Sequence, residues 1–416
     1  MARRGGEIRE VEETSVHRLE IAQLLDAPSV RRAFHLIDAL ADAITREHVA
    51  ICEIPAPPFG EEQRARYFER RFRELGLEGV RRDTVGNVIG FRHGWSDKPT
   101  VVVSAHLDTV FPNHVDVRVR RRNGRYHAPG IGDNASGLAA LLALIEVLQR
   151  VRVTTIGTLV FLCTVGEEGE GNLRGVRHFF TDGWAEKTDA FISLDGHGVE
   201  RIVSGALGSR RYRITIAGPG GHSWGDFGIV NPIHPLAEVI RQLVEYPLPR
   251  RPRTSLTVGR IEGGQSVNAI PQSAFMDVDI RSTSSAVLDR ISEYVKRVVA
   301  QAVRQENARC AATGTRLSYH IHCLGDRPTG ETSPDTDIIR VAQEASRLLG
   351  IEPQLEWAST DANIPISLGI PAIAMGAGGN AGNPHTLDEW YDATNRELGL
   401  KRALLVILAL AGVPEL

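Results

Sequence analysis

The sequence has few of the residues that mark a disulfide-stabilised protein. Only four of its 416 residues are cysteine, and they are scattered along the chain at Cys52, Cys163, Cys310 and Cys323. No two of them have Cys-x-x-Cys spacing, so we expect neither a disulfide framework nor a zinc finger. This use of cysteine is typical of proteins in the reducing cytoplasm.

Long apolar runs and a strong excess of one charge are missing as well. No run approaches the roughly 18 apolar residues of a membrane-spanning helix, and residues 1–7 (MARRGGE) contain no apolar core of a signal peptide. The formal net charge is −3, whereas nucleic-acid-binding domains carry a basic footprint. We therefore expect a cytoplasmic protein that binds neither membranes nor nucleic acid.

What the sequence does contain is an α/β pattern. Buried apolar runs alternate with helical periodicities up to about residue 207 and again after about residue 326, which predicts a mostly parallel sheet flanked by helices. The predicted strands lie at 80–82, 87–91, 100–104, 157–164, 190–194 and 372–375, and the predicted helices at 29–48, 60–75, 136–148, 335–349 and 404–413.

Between residues 208 and 325 the pattern changes to strands that alternate apolar and polar residues. The predicted order is β-α-β-β-α-β, the ferredoxin-like arrangement. We therefore predict a domain formed by 1–207 and 326–416, with an α+β domain inserted at 208–325. The inserted strands are predicted at 211–217, 255–261, 274–281 and 316–323, and its helices at 235–246 and 286–307.

Acidic or imidazole residues follow the predicted strands of the main sheet. In open α/β sheets, ligands bind just beyond the carboxyl ends of the strands. Each residue alone has an ordinary explanation, such as a helix N-cap or a solvated turn. Together they predict a site, because buried charges are paired or bind metal. The residues are His106, Asp133, Glu168, Asp195 and His385.

These five side chains suit a pair of divalent cations. Asp133 could bridge the two ions with its two oxygens, and the other four would supply two terminal ligands for each ion. Imidazole with carboxylate favours Zn²⁺, with Co²⁺ or Mn²⁺ as substitutes. Glu167 then remains as a general base that takes a proton from water and passes it to a leaving amine.

The segments that carry these residues resemble the M20 metallopeptidases, which include peptidase T, carboxypeptidase G2, the aminoacylases and the acetylornithine and succinyl-diaminopimelate deacylases. The resemblance covers about 35–412 and implies a zinc-exopeptidase-like sheet sandwiched by helices, a lid domain and a homodimer through that lid. The segments are SAHLDTV at 104–110, GIGD at 130–133, TVGEEG at 164–169, LD at 194–195, PHT at 384–386 and DEW at 388–390.

The resemblance also implies how the ligands divide. One ion would be held by His106, Asp133 and Asp195, and the other by Asp133, Glu168 and His385. Glu167 would be the base. Asp108, which forms a His-x-Asp pair with His106, would orient that imidazole rather than bind metal.

Further segments resemble the family's substrate-binding elements. His222 in GGHS would polarise the scissile carbonyl, often from the neighbouring subunit, and Asn268 in SVNAIP would contact substrate. Arg281 in DIR is predicted to grip a substrate carboxylate. The loops that contain Asp361 and Gly378 would line the pocket.

One departure from the M20 pattern concerns Asn134, which stands where relatives often have Asp or Lys. The segment NASG at 134–137 also resembles the M28 aminopeptidases. About 190 residues separate Asp195 from His385, which leaves room for a lid that M28 enzymes lack.

The expected function is a two-metal hydrolase that cleaves an amide bond of a small peptide, as in peptidase T. An N-acyl-amino-acid deacylase or carboxypeptidase is the alternative. A non-catalytic binding protein with this fold would have lost a ligand or the base, and none is missing here.

Overall fold

The computed structural model describes residues 21–414, so the prediction for residues 1–7 lies outside the described residues. The first part of the chain forms helices and most of a large sheet. Its elements are α1 (Ile21–Asp26), α2 (Pro28–Ala39), α3 (Ala41–Cys52), α4 (Glu62–Glu74), β1 (Glu78–Arg82), β2 (Val88–Arg92), β3 (Thr100–His106), β4 (Arg120–Arg122), β5 (Arg125–His127), α5 (Ala135–Val151), β6 (Thr158–Thr164), α6 (Arg174–Phe179), β7 (Ala190–Leu194) and β8 (Arg201–Ala206).

The middle and last parts follow in the predicted order. The middle part comprises β9 (Gly208–Ala217), β10 (Gly221–His222), α7 (Ile233–Glu245), β11 (Thr254–Gly263), β12 (Ala269–Ile270), β13 (Ser273–Ser282), α8 (Ser285–Arg309) and β14 (Ser318–Arg327). The last part comprises β15 (Gly330–Glu331), α9 (Asp337–Leu348), β16 (Gln354–Ala358), α10 (Asn363–Ser367), β17 (Ala372–Met375), β18 (Asn380–Gly382), β19 (Trp390–Asp392) and α11 (Arg396–Ala411).

The main sheet is mostly parallel at its centre, as predicted. Its strand order is β1-β2-β6-β3-β7-β17-β8-β15, with β16 paired to β8. β6, β3, β7 and β17 run parallel, while β1, β2 and β15 pair antiparallel at the edges. The parallel centre places the carboxyl ends of β6, β3 and β7 side by side, at the edge where the metal ligands are predicted.

Both faces of the central strands are buried, which explains their continuous apolar sequence. Val101 and Val103 pack into a core shared with α5 and α11, whereas Val102 packs into a second core with residues of α6 and α10. A strand covered by helices on both sides has no solvent face, so apolar–polar alternation disappears.

The inserted segment has a sheet and a core of its own. Its four long strands form an antiparallel sheet in the order β11-β13-β9-β14, with α7 and α8 packed on one face. This is the predicted ferredoxin-like arrangement. The proposed boundaries stay predictions, although β9 begins at Gly208 and β14 continues to Arg327.

Some elements differ from the sequence-based expectation. The predicted helix at 29–48 is two helices, α2 and α3, which meet at Leu40. β16 was not predicted, because four of its five residues are exposed and its sequence lacks an apolar run. Among residues 21–414, no helix is long and apolar enough to cross a membrane.

Candidate metal centre

The predicted metal ligands meet at the carboxyl edge of the main sheet. His106 is the last residue of β3 and lies in register with Thr164, the last residue of β6. Glu168 lies in the loop after β6, and Asp195 directly follows β7. Because these strands are adjacent and parallel, their loops emerge at one place.

Asp133 lies between the two predicted histidines. Its Oδ1 is 3.0 Å from Nε2 of His106, and its Oδ2 is 3.3 Å from Nε2 of His385. Asp195 approaches His106 at 3.8 Å, and Glu168 approaches His385 at 2.9 Å. The structure thus forms two trios that share Asp133, and the ligand atoms within each trio lie within 4.8 Å of one another.

The donor set in these trios fits divalent cations. Oδ1 of Asp133 is buried and has no hydrogen-bond partner other than the nearby Nε2 of His106. Asp133 and Glu168 raise the pKa of His385 to about 10, because both carboxylates favour a nearby positive charge. Such clustered carboxylates are stabilised by a cation of the kind that imidazole and carboxylate ligands hold.

Asp108 lies beside His106 but interacts mainly with the backbone. Nδ1 of His106 is 3.1 Å from the carbonyl oxygen of Asp108 and 3.7 Å from its carboxylate. That carboxylate accepts hydrogen bonds from the backbone N–H groups of Glu167, at 2.9 Å, and Glu168, at 2.8 Å. The Asp108 residue therefore contacts His106 and also fixes the loop that carries the predicted base.

Glu167, the predicted base, is buried and paired with an arginine that the sequence analysis missed. Nη1 of Arg327 lies 2.9 Å from Oε1 of Glu167, and the same guanidinium donates to the Glu167 carbonyl and to Ser359. Burial raises the pKa of Glu167 well above its usual range, although Arg327 opposes that shift. Nothing in the sequence indicates this pair, because its members are 160 residues apart.

Glu389 is a second residue whose contact the sequence did not reveal. Its buried carboxylate accepts hydrogen bonds from the backbone N–H groups of Gly130, Gly132 and Asp133. Burial raises its pKa to about 7. The segment DEW at 388–390 contributed to the family resemblance without suggesting a role for its glutamate.

The predicted lid residues His222 and Asn268 lie together. His222 pairs with Ala269 across the β10–β12 ladder, and the backbone N–H of Ser223 donates to the carbonyl of Asn268 at 3.0 Å. Within residues 21–414, no hydrogen bond or ion pair joins His222 or Asn268 to the five ligand residues. The imidazole of His222 is exposed.

Arg281 forms an ion pair with Asp279 on the face of the inserted sheet that the helices leave open. Its Nε lies 2.8 Å from Oδ2 of Asp279, and Oδ1 of Asp279 accepts from Arg211 at 3.1 Å. Arg211 in turn donates to the carbonyl of Gly169 at 3.0 Å. Through Asp279 and Arg211, the side chain of Arg281 is thus connected to the loop that follows Glu168.

Asp361 and Gly378 lie inside the protein rather than on an exposed pocket wall. Oδ2 of Asp361 accepts a hydrogen bond from Thr164 at 2.5 Å, and burial raises the pKa of this carboxyl to about 7. Gly378 has φ +84°, and a Cβ there would lie 2.7 Å from Cα of Arg396. Both positions are buried, and Oδ1 of Asp361 has no hydrogen-bond partner, so the substrate contact expected of them stays a prediction.

A mostly parallel sheet with two trios of candidate metal ligands at its carboxyl edge, together with an inserted α+β domain, defines an α/β protein with a candidate dinuclear metal site. The chain belongs to peptidase family M20/M25/M40, whose sequence profile matches residues 102–409.

Individual relatives are distant but cover most of the chain. Bacillus subtilis YqjE, described as an uncharacterized protein, is 25% identical over 352 residues, which are 80% of this chain and 90% of YqjE. The succinyl-diaminopimelate desuccinylase of Corynebacterium glutamicum is 27% identical over 349 residues, 82% of this chain and 90% of that protein. The crystal structure of aminopeptidase PepT from Bacillus cereus has a TM-score of 0.70 at 21% identity, covering 89% of this chain and 99% of that one.

Proposed function

We propose that this M20-family protein is a two-zinc hydrolase that cleaves an amide bond of a small peptide. The observation that carries the proposal is the pair of trios that share Asp133. His106 and Asp195 would complete the site of one ion, and Glu168 and His385 that of the other. Co²⁺ or Mn²⁺ would substitute for Zn²⁺, since the same ligands suit them.

The protein's own side chains then perform the proton chemistry. When bound, the two ions supply Lewis-acid activation of the water and the scissile carbonyl. Glu167 accepts the proton of the attacking water and delivers it to the leaving amine, and Arg327 holds the Glu167 carboxylate in place during both transfers. His222 donates a hydrogen bond to the developing oxyanion once the inserted domain has moved towards the site.

A deacylase or carboxypeptidase that uses the same centre is the second candidate. The relative from C. glutamicum is named a succinyl-diaminopimelate desuccinylase and matches most of the chain. Arg281 would bind a substrate carboxylate if Asp279 released it. An aminopeptidase would instead place the free α-amine of its peptide near the metal site.

The proposal is tested by metal content and turnover together. We expect two equivalents of divalent metal per chain, and hydrolysis within a panel of di- and tripeptides and N-acetyl and N-succinyl amino acids. Glu167→Gln should keep the metal and lose about 10²–10⁴-fold in kcat, the usual range for a general base. Glu170→Gln, which changes an exposed glutamate of the same loop, is the matched control. Absence of bound metal at neutral pH would refute the centre, and unchanged kcat in Glu167→Gln would refute the base.

A further inference from the structure

Three backbone N–H groups of the loop that carries Asp133 point at the carboxylate of one side chain, Glu389. Oε2 of Glu389 accepts from the N–H of Gly130 at 2.8 Å, and Oε1 accepts from the N–H groups of Gly132 at 2.8 Å and Asp133 at 3.0 Å. Only 1% of Glu389 is exposed. Three backbone donors within four residues therefore converge on one buried carboxylate, an arrangement that fixes the path of the loop.

The two glycines of GIGD suit the path of this loop. Gly130 has φ +77°, a conformation that glycine adopts without strain. A Cβ on Gly132 would lie 3.1 Å from Oε1 of Glu389 and 2.9 Å from Cβ of Ala381. A side chain at position 132 would thus collide with Ala381 and crowd the Glu389 carboxylate.

The segment that contains Glu389 also contains a predicted ligand. His385 lies four residues earlier, and its Nε2 faces Asp133 and Glu168. One short segment therefore contributes a side chain to one trio and, through Glu389, holds the backbone of the residue common to both trios.

We propose that Glu389 is the positioning residue for the shared carboxylate of Asp133, and that binding of both metal ions depends on it. This inference rests on the two-metal function proposed above. Because Asp133 belongs to both trios, an altered loop would weaken the binding of both metal ions. Residues that contact a metal ligand without touching the metal commonly change metal affinity about 10–100-fold when replaced.

Glu389→Gln is the sharpest replacement. Gln has nearly the same size as Glu but turns one acceptor oxygen into an NH₂ group, which would face a backbone N–H donor. Glu389→Asp keeps the carboxylate but shortens its reach by one methylene. Asp388→Asn is the matched control, because it removes a carboxylate from the adjacent, exposed position.

The test is a Zn²⁺ titration of the metal-free, full-length protein by calorimetry, together with the absorption spectrum of the Co²⁺-loaded protein. We expect Glu389→Gln to lower the affinity for both Zn²⁺ ions by at least about tenfold and to change the absorption spectrum of the Co²⁺-loaded protein. Asp388→Asn should match wild type in both measurements. A folded Glu389→Gln protein that binds both ions with wild-type affinity and spectrum would overturn the inference.

If far-UV circular dichroism shows that Glu389→Gln does not fold, a second variant takes its place in the test. Glu389→Asp should then show weakened binding of both ions, and wild-type affinity in that variant would overturn the inference. Equal weakening in Asp388→Asn would overturn it too, since the effect would belong to the loop rather than to Glu389. A wild-type protein that binds no Zn²⁺ would instead refute the proposed two-metal function.

Discussion

At the scale of single residues, buried polar side chains hold the loops around the trios. His48 is an example: its Nε2 lies 2.6 Å from the carbonyl of Ile131, in the same loop that Glu389 holds, and its ring packs edge-on against Tyr391. Asp108 and Arg327 likewise form hydrogen bonds with the backbone of the loop that contains Glu167 and Glu168. Side chains outside the two trios thus help to determine where the predicted ligands and base lie.

His48 should make the stability of the protein depend on pH. Burial lowers its pKa from 6.5 to about 4, so below pH 6.5 the unfolded chain takes up a proton that the native protein does not. The free energy of unfolding should therefore fall as the pH drops from 6.5 towards 4, by about 3 kcal/mol in total from this residue. This pH dependence can be measured by urea unfolding of the metal-free protein at several pH values, with His48→Gln for comparison. Equal pH slopes in the two proteins would contradict the prediction.

At the scale of elements, the start of α5 fixes the distance between two predicted ligands. Nδ2 of Asn134 donates to the carbonyl of Leu194 at 2.9 Å, and its Oδ1 accepts from the N–H of Gly137 at 3.2 Å. Asp133 precedes Asn134, and Asp195 follows Leu194. The side chain of Asn134 therefore ties the helix that follows one ligand to the strand that precedes the other.

Gly137→Ala should disturb this junction. A Cβ at position 137 would overlap the carbonyl oxygen of Leu194 and the side chain of Asn134. We expect the free energy of unfolding to fall by about 1–3 kcal/mol, as for other overpacked sites, although alanine is the better helix former. Chemical denaturation of the metal-free protein checks this value. Gly259→Ala, where no atom lies within 4 Å of the new Cβ, should change stability far less, and equal effects would exclude the packing explanation.

At the scale of the whole molecule, the last strand of the inserted sheet ends at the residue that contacts the base, whereas His222 stays exposed. Arg327, at the end of β14, pairs with Glu167, and Arg211 on β9 donates to Gly169. His222 makes its hydrogen bonds with its own loop. We propose a homodimer through the inserted domain, in which His222 reaches the site of the partner subunit.

Mixing two inactive variants tests this arrangement. In a heterodimer of His222→Ala and Glu167→Gln chains, one site would combine an intact Glu167 with the intact His222 of the partner subunit. An equal mixture that exchanges subunits should recover about one-quarter of wild-type kcat per site, because half of the dimers are mixed and each has one complete site. Sedimentation velocity establishes the oligomeric state. Dimers that exchange subunits without regaining activity would show that His222 does not act across the interface.

Much of the fold could be predicted because its signals are local. Both faces of β3 are covered, so its apolar run is continuous, and the helices and strands of the insert have regular periodicities. The positions of His106, Glu168 and Asp195 followed from the rule that binding residues lie beyond the carboxyl ends of parallel strands. The break at Leu40 and the exposed edge strand β16 have no comparable signal.

The sequence by itself determined the fold class, the family resemblance and the residues able to bind metal, because those properties depend on residue type and on spacing along the chain. Only the tertiary structure showed that Arg327 pairs with Glu167 and that Glu389 holds the loop of Asp133. These contacts join residues up to 259 positions apart. Such pairs depend on how strands and loops pack in space, so local sequence patterns carry no record of them.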